Sequence, residues 1–517
     1  MLSGMAFLYF HIMQLYVSDS VVGCDTYGYL SMAESMHDKG FLNSYIEDRL
    51  ISEIYSNLRG IASDEDLKYI LAPHSYYICD FGKGRLCCQY PPGFPLLISF
   101  SLNFLTRSQI FYLLPAVSFL FLLYFFHFVN NRFGEAVSIL SVFLLAFLPL
   151  FLSNTTSLMS DVPSLILIFL SITLLYFQKR GIDAFVSGAL FGFSVMVKYT
   201  NAISIIPIAY IFWVKFNERN GKRKIILRAI QFSFAAFLFG VLPLMAYQYS
   251  LFGNLFTVTY PDSYMEDLIS PLHIAQTFPY YVSNMLFQFG SFGWVMISLG
   301  AYIGMKKPKL KGFSSISLIT IVSFFLCFCF IGGLAVDDRY MLVTFPFLSI
   351  FYGIGGKACI ESLGKRMRKD RFKILRAAFI TFLLFYMCTY SFLSENILYT
   401  GLYSAFSGHD VYFGGPRNVE SYMSEVTDLI PNPKNSIILS EENSGPLRLY
   451  ENMTSYRPTW GTYDSLNTVV SYLLNKNYDV YLLKDWDDDG ENVFYRLSED
   501  YILEQIGEDL YRINLAS

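Results

Sequence analysis

The chain has 517 residues, of which 54% are hydrophobic, 18% are aromatic and only 15% are charged. Soluble domains carry about 25% charged residues, so this composition excludes an ordinary soluble protein and indicates an integral membrane protein. The formal net charge is −4, and no basic surface pattern suggests a nucleic-acid partner.

Apolar runs close to the ~20 residues that cross a bilayer predict a polytopic α-helical membrane protein with about eleven transmembrane helices. The first run has no charged region before it, so it predicts a span rather than a cleavable signal peptide. The predicted spans are residues 2–17, 110–128, 135–152, 162–178, 184–197, 200–214, 229–247, 284–304, 314–335, 341–356 and 377–394.

The distribution of positive charge predicts the orientation, because cytoplasmic loops carry an excess of Lys and Arg. Loops 215–228, 306–311 and 365–376 are rich in these residues. Segments 153–161 and 248–283 contain neither. The two kinds of loop should therefore face opposite sides of the membrane.

This alternation holds only if residues 91–106 do not cross the membrane. That segment begins with a Pro-Pro pair, which suits a helix lying at the interface. The prediction is then a multi-pass cell-membrane protein with a cytoplasmic N-terminus. Loops 18–90 and 248–283 and the C-terminal residues 395–517 would lie outside the cytoplasm.

We therefore expect two domains. Residues 1–394 form the transmembrane domain, which includes the first extracytoplasmic loop 18–90 with juxtamembrane helices. Residues 395–517 form a small extracytoplasmic α/β domain. There the residue patterns predict strands at 436–439, 478–483 and 509–514, one helix capped by Asp464 and running to about Leu474, and another near 498–506.

Four of the eight cysteines fall in the first predicted outward loop: Cys24, Cys79, Cys87 and Cys88. A disulfide among them is expected if that side of the membrane is oxidising. Free thiols are the alternative.

Asp25 is the first candidate for chemistry. It follows the first span almost at once, and Tyr29 lies four residues later on the same face of the predicted helix. A carboxylate at a helix N-terminus is stabilised by the helix dipole, so a simple capping role is the alternative.

Further ionisable residues are predicted at the same outer face. Asp161 precedes the fourth span, Lys198 interrupts a tight turn, and Arg339 and Tyr340 stand before the tenth span, after Asp337 and Asp338. Placing a charged group at membrane depth costs free energy unless the group is paired with an opposite charge or is in contact with water. The alternatives are a helix cap at Asp161, a snorkelling Lys198 and an ion pair between Arg339 and Asp337 or Asp338.

Carboxylates and cations that converge at a lipid boundary suggest a defined chemistry. Cations can hold the phosphate of a lipid-linked substrate, and a carboxylate can take a proton from an attacking hydroxyl or amine. A second carboxylate can orient the acceptor or bind a metal. The spacing of these residues alone does not distinguish an enzyme with this chemistry from a proton-coupled transporter.

Several motifs at these positions resemble GT-C-type membrane glycosyltransferases. The likeness is to the branch that contains protein O-mannosyltransferases and lipid A aminoarabinose transferases, and it covers roughly residues 1–356. The motifs, in order, are Asp25-Thr26-Tyr27-Gly28-Tyr29-Leu30-Ser31-Met32-Ala33, Tyr90-Pro91-Pro92-Gly93-Phe94-Pro95, Asn131-Arg132-Phe133-Gly134, Ser160-Asp161-Val162-Pro163, Val197-Lys198-Tyr199-Thr200 and Arg339-Tyr340-Met341-Leu342-Val343-Thr344-Phe345-Pro346.

Two positions depart from the family pattern. Tyr90 stands where the aminoarabinose branch has lysine, so the resemblance does not extend to that substrate. Val343 stands where the family usually has a proline, which weakens the inference about where that span begins. The C-terminal residues carry no motif of the family.

The resemblance implies a glycosyltransferase that uses a polyprenyl-phosphate sugar and transfers it with inversion on the outer face. Its acceptor would be a protein, a lipid or a glycan. The implied roles are general base for Asp25 with Asp19 as the fallback, a supporting acidic residue for Asp161, donor-phosphate binding for Arg339, phosphate or acceptor binding for Lys198, and substrate binding for Tyr340 and Tyr29. No cofactor is certain, and a divalent metal is left open.

One acidic turn near the C-terminus is a separate candidate. Asp485, Asp487 and Asp489 precede a glycine with the spacing of a Ca²⁺-binding loop. Arg496 stands where that loop requires a glutamate, so a solvated turn is the main alternative.

Two other functional classes are alternatives to the enzyme. A transporter or flippase of a lipid-linked or anionic substrate would string charges through the span centres and pair discontinuous helices. A non-catalytic assembly subunit would keep the fold and use the C-terminal domain for interactions.

Overall fold

The computed structural model describes residues 2–17, 20–21, 23–217, 222–257, 270–331, 336–364, 419–484 and 488–515. The chain divides into two compact units. The membrane unit comprises residues 1–17, 111–243 and 261–412, and the loop–tail unit comprises residues 18–110, 244–260 and 413–517.

Helices make up most of the described chain. In chain order they are α1 (Leu2–Tyr16), α2 (Gly23–Lys39), α3 (Arg49–Leu58), α4 (Asp64–Ile70), α5 (Gly93–Ser101), α6 (Arg107–Ile110), α7 (Leu113–Phe133), α8 (Glu135–Phe147), α9 (Pro149–Thr156), α10 (Asp161–Phe177), α11 (Gly181–Val197), α12 (Ile205–Asn217), α13 (Lys222–Ala236), α14 (Leu242–Phe252), α15 (Ile274–Lys306), α16 (Pro308–Cys329), α17 (Phe345–Gly364), α18 (Val419–Asp428), α19 (Ser444–Glu451), α20 (Tyr463–Asn475) and α21 (Asp488–Asp500). The strands are β1 (Ile46–Glu47), β2 (Tyr76–Asp80), β3 (Arg85–Cys88), β4 (Ser436–Leu439), β5 (Thr454–Tyr456), β6 (Asp479–Leu483), β7 (Tyr501–Gln505) and β8 (Leu510–Leu515).

The structure confirms a multi-pass α-helical membrane protein. Among the described residues, six helical segments are long and apolar enough to span a membrane: Arg107–Phe133, Tyr199–Asn217, Lys222–Phe252, Pro271–Lys306, Pro308–Cys329 and Asp338–Ser362. A bent pair makes a seventh candidate, and α10 and α11 are apolar but shorter. The predicted total was about eleven, and its last span, 377–394, lies outside the described residues.

The predicted span 135–152 is two helices rather than one. Helices α8 and α9 meet at an angle of 57°. Leu148 between them has an extended backbone (φ −64°, ψ 131°), because the ring of Pro149 disfavours the helical conformation in the residue before it. The sequence analysis missed this proline as a helix break.

Small residues allow helices of the membrane unit to touch closely. A Cβ atom on Gly188 of α11 would lie 2.2 Å from the backbone oxygen of Phe232, and one on Gly192 would lie 2.3 Å from that of Ala236. This spacing of small residues is the usual means of close helix packing in membranes. Substitution of either glycine should therefore separate α11 from α13.

The segment 91–106 does not form a spanning helix. Within it, α5 covers Gly93–Ser101, and nine residues at about 1.5 Å per residue reach only about 14 Å, roughly half of the hydrocarbon thickness. A helix of this length can lie at the interface but cannot cross, as predicted from the charge pattern.

The loop–tail unit contains two sheets. One has three strands in the order β1-β3-β2, and Cys79 and Cys87 form the expected disulfide in it. The other has five strands in the order β5-β4-β6-β8-β7; β4 is parallel to β5 and β6, whereas β8 is antiparallel to β6 and β7. This is the mixed α/β domain that the sequence predicted at the C-terminus.

Two details of that domain were predicted wrongly. The N-cap of α20 is Thr462, whose side chain accepts a hydrogen bond from the Ser465 amide, rather than Asp464. Residues 501–505 form strand β7 rather than a helix, because each of them pairs with a residue of β8. The predicted domain boundary at residue 395 lies outside the described residues and stays a prediction.

Candidate active site

Asp25 lies in the first turn of α2, as the sequence predicted, and it has a specific partner. Tyr90 donates its hydroxyl hydrogen to Asp25 Oδ1. Burial and the Asp25 carboxylate raise the pKa of Tyr90 well above its ordinary value, so Tyr90 stays protonated and remains a donor. The carboxylate is thus held in one orientation by a neutral phenol.

A glycine lets this donor approach the helix. A Cβ atom on Gly28 would lie 2.5 Å from a ring carbon of Tyr90 and 2.8 Å from Cβ of Ser75. Ser75 donates to the backbone oxygen of Cys24 at 2.5 Å. The glycine of the Tyr-Gly-Tyr part of the first motif is therefore required for steric reasons, because a side chain at Gly28 would displace Tyr90 from Asp25.

Tyr29 packs among aromatic rings. Its ring centroid lies 4.8 Å from that of Tyr90 and 5.1 Å from that of Phe94, and the residue is 5% exposed. Tyr29 therefore packs against the ring that donates to Asp25. The predicted role of Tyr29 in substrate binding stays a prediction.

Residues of the C-terminal part lie close to Asp25 within the loop–tail unit. The His74 amide donates to Ser444 Oγ at 2.9 Å. Burial and Arg457 lower the pKa of His74 to about 3, while Asp25 opposes this shift. His74 is therefore neutral at physiological pH, and both Asp25 and Arg457 are near enough to act on its charge.

Arg457 and Glu441 form a buried pair beside this histidine. Arg457 is 1% exposed and Glu441 is 4% exposed, and Arg457 Nε lies 3.9 Å from Glu441 Oε1. The guanidinium also lies 4.0 Å from the ring centroid of Trp460. The sequence analysis missed this pair. The position of Glu441 could have indicated it, because Glu441 follows a predicted strand by two residues. Binding sites of parallel sheets lie at the carboxyl ends of their strands.

A second cluster lies in the membrane unit. Lys198 donates to Asp161 Oδ1, and both side chains are largely buried, at 13% and 4% exposed. Asp161 starts α10, and Lys198 follows the last residue of α11 with an extended backbone. The Lys198 ammonium also lies 4.1 Å from the ring centroid of Tyr340.

Arg339 approaches the same tyrosine from the neighbouring position. Its guanidinium carbon lies 5.8 Å from the ring centroid of Tyr340, and its Nε lies 2.8 Å from Asp337 Oδ2. Tyr340 itself stacks on Phe328 at 5.2 Å. The expected alternative for Arg339, an ion pair with Asp337, is therefore present.

The structure thus brings four of the predicted residues together: Lys198 and Arg339 lie at the ring of Tyr340, and Asp161 pairs with Lys198. The Arg339 side chain is 22% exposed. Asp25 and Tyr29 belong to the loop–tail unit. The fallback base, Asp19, lies outside the described residues.

No group of three or more His, Cys, Asp or Glu side chains among the described residues could hold a metal ion. In the acidic turn, α21 already begins at Asp488, so the following residues are helical rather than wrapped as a Ca²⁺-binding loop. Asp485 and Asp487 lie outside the described residues. The side chain of Asp489 is likewise not described.

The chain is similar in fold to solved structures of membrane glycosyltransferases. ArnT from Cupriavidus metallidurans bound to undecaprenyl phosphate superposes with a TM-score of 0.62 at 11% identity, over 100% of this chain and 98% of that one. The apo form of the same protein gives 0.61 at 12% identity, over 99% and 96%. The chain has the GT-C fold.

A more distant GT-C likeness and a sequence match agree with this fold. The oligosaccharyltransferase of Archaeoglobus fulgidus, in complex with Zn and sulfate, gives a TM-score of 0.55 at 12% identity, over 92% of this chain and 67% of that one. Residues 89–247 match the family of dolichyl-phosphate-mannose-protein mannosyltransferases. A comparison with curated protein sequences finds no match.

Proposed function

We propose that this protein is an integral-membrane glycosyltransferase that moves a sugar from a polyprenyl-phosphate donor to an acceptor outside the cytoplasm. The observation that carries the proposal is the cluster of Lys198 and Arg339 around Tyr340, in a chain with the GT-C fold. A similar protein, ArnT, was crystallised with undecaprenyl phosphate, which supports a donor of this class.

The membrane-unit cluster would bind the donor phosphate. A phosphate attracts both an ammonium and a guanidinium, and a guanidinium binds it through two parallel N–H groups. The ion pairs with Asp161 and Asp337 hold the two cations in place before the donor arrives. As the bond between C1 and the phosphate oxygen breaks, the leaving polyprenyl phosphate keeps the electron pair, and the cations stabilise its charge.

Asp25 would act as the general base. It takes the proton from the acceptor hydroxyl or amine while the acceptor oxygen or nitrogen forms its bond to C1. One displacement of this kind inverts the anomeric carbon. Tyr90, which donates to one carboxylate oxygen, would keep the other oxygen directed at the acceptor.

The proposed topology follows the charge pattern. The N-terminus would be cytoplasmic, and the loop–tail unit, which holds the disulfide between Cys79 and Cys87, would lie on the opposite, oxidising side. With this topology, Asp25 and the acceptor would lie on the same side of the membrane.

The test is transfer of a radiolabelled sugar from a synthetic polyprenyl-phosphate sugar by the purified chain in sealed proteoliposomes. We expect label in an acceptor fraction, together with release of free polyprenyl phosphate. Movement of intact donor across the bilayer without release of polyprenyl phosphate would instead support a flippase and would contradict this function.

A further inference from the structure

The loop–tail unit contains a polar cavity that is separate from Asp25. The cavity has a volume of about 500 Å³, within the usual range for ligand sites. Tyr27, Ser31 and Glu34 of α2 line it. They follow Asp25 by two, six and nine residues, which at about 100° per residue places them on the opposite face of the helix.

The charges of the cavity balance. Three arginines and three acidic residues line it: Arg49, Arg107, Arg448, Glu34, Glu47 and Asp48. A site for a free anion or cation would carry an excess of the opposite sign. Equal numbers of donors and acceptors instead suit a neutral ligand whose groups can both donate and accept hydrogen bonds.

Two ion pairs hold four of these groups in place. Arg448 Nη2 lies 2.7 Å from Asp48 Oδ2, and each side chain is only 12% exposed. Arg107 contacts both carboxylate oxygens of Glu34, at 2.5 and 2.9 Å, and is 45% exposed. One charged pair thus lies deep in the cavity and the other nearer to solvent, and both are oriented before a ligand binds.

Two of the lining residues, Tyr27 and Asp48, are held by neighbouring elements. Tyr27 is 1% exposed, and a Cβ atom on Gly445 would lie 2.4 Å from its ring. Asp48 also caps α3 by accepting from the Leu50 amide at 3.0 Å. A preformed polar site loses little conformational freedom on binding, which matters for weakly bound hydroxylated ligands.

From these observations we propose that the cavity binds a neutral saccharide. Sugar hydroxyls donate to carboxylates and accept from guanidinium groups, so each preformed pair offers both partners to one ring. Because the cavity faces away from Asp25, the bound sugar would be one remote from the reacting group. Its assignment to the acceptor glycan rests on the proposed function, whereas saccharide binding itself does not.

The test uses saturation-transfer NMR of the full chain in lipid nanodiscs, which avoids the sugar head groups of maltoside detergents. The ligands are methyl glycosides of neutral hexoses and N-acetylhexosamines, with inorganic phosphate as the anionic comparison. Thr454→Trp fills the cavity from strand β5, which Thr454 lines. Ser498→Trp adds the same side chain at an exposed position of α21.

We expect at least one glycoside to bind the wild-type chain and the Ser498→Trp variant, and binding to be lost in Thr454→Trp. Asp48→Asn, which keeps a capping side chain, should weaken it by about tenfold. Asp479→Asn, which disrupts the Arg512–Asp479 pair at 2.5 Å outside the cavity, should leave it unchanged. Absence of glycoside binding, binding unaffected by Thr454→Trp, or binding of phosphate alone would each overturn the proposal.

Transfer assays on two variants separate this proposal from the proposed function. Asp25→Asn should lose sugar transfer but keep glycoside binding. Thr454→Trp should lower labelled transfer while its affinity for undecaprenyl phosphate stays at the wild-type value. Unchanged transfer by a Thr454→Trp chain that no longer binds glycoside would overturn the assignment to the acceptor and leave the saccharide site standing.

Discussion

At the scale of single residues, the contact between Tyr90 and Asp25 depends on one atom, the phenolic oxygen of Tyr90. Tyr90→Phe removes the donated hydrogen bond but keeps the ring that packs on Tyr29. A hydrogen bond to a charged group contributes about 1.5–3 kcal/mol. We therefore expect the rate of sugar transfer per folded chain to fall by about tenfold or more, and the melting temperature to fall as well, because the same hydrogen bond stabilises the fold.

A matched variant tests whether the loss of any tyrosine hydroxyl that donates to a carboxylate lowers the rate of transfer. Tyr55 donates to Asp64 at 3.2 Å on the surface of the loop–tail unit. Tyr55→Phe should transfer sugar at the wild-type rate. Equal rates for Tyr90→Phe and wild type would mean that Asp25 needs no orienting donor.

His74 predicts a dependence of stability on pH. Its pKa is about 3 in the folded chain, against 6.5 for the free side chain. Below pH 6.5 the unfolded chain therefore binds a proton that the folded chain does not, and the free energy of unfolding falls as the pH falls from about 6.5 towards 3. Thermal unfolding of wild type and His74→Asn across that range should show a smaller pH dependence in the variant; identical slopes would contradict the burial of a neutral His74.

Arg339 tests the donor-phosphate assignment. Arg339→Gln removes the charge beside Tyr340, so we expect the affinity for undecaprenyl phosphate to fall by about tenfold. Arg223→Gln changes an exposed arginine of α13 and should bind as wild type. Equal affinity of Arg339→Gln and wild type would contradict phosphate binding by Arg339.

For the cluster at Tyr340, the sequence indicated which residues are involved but not how they contact one another. Asp161, Lys198 and Arg339 were expected at one membrane face, because their spans ended there and charges at lipid depth require partners. The convergence on Tyr340, with Lys198 and Arg339 on its ring, depends on how α10, α11 and the segment before α17 pack. No local pattern encodes that packing.

At the scale of secondary-structure elements, the contact between α11 and α13 limits what the membrane unit tolerates. Gly192→Ala places a Cβ atom only 2.3 Å from the backbone oxygen of Ala236. Overpacking of this kind costs about 1–3 kcal/mol. We expect a lower melting temperature and less folded protein in membranes.

A second glycine of α11 provides the control. At Gly181 the nearest atom to an added Cβ is 3.6 Å away, on the side chain of Gln231, which is ordinary contact. Gly181→Ala should melt at or above the wild-type temperature, because alanine favours helix. A Gly192→Ala chain as stable as Gly181→Ala would contradict the close helix contact.

Periodicity predicted most elements because each carries its own signal. The face of α20 formed by Leu466, Val470 and Leu473 is fully buried, as the apolar spacing indicated. The errors occurred where tertiary pairing decided the structure: residues 501–505 became β7 because β8 lies beside them. A single proline explains the division of the predicted span 135–152 into α8 and α9.

At the scale of the whole molecule, composition and charge established the membrane class and the GT-C resemblance supplied the fold. The association of residues 18–110 with residues 413–517 in one unit had no such signal. The contacts that create it join residues far apart in sequence, such as Asp48 with Arg448 and His74 with Ser444. The proposed saccharide cavity and the surroundings of Asp25 depend on these contacts.

The most direct test of the account is sugar transfer by Asp25→Asn. Asparagine keeps the size of the side chain and can still accept the hydrogen bond from Tyr90, but it cannot take up the acceptor proton. The account predicts a chain with the wild-type melting temperature and affinity for undecaprenyl phosphate, but with radiolabel transfer reduced to background. Transfer at the wild-type rate by this variant would show that Asp25 is not the general base and would contradict the central claim.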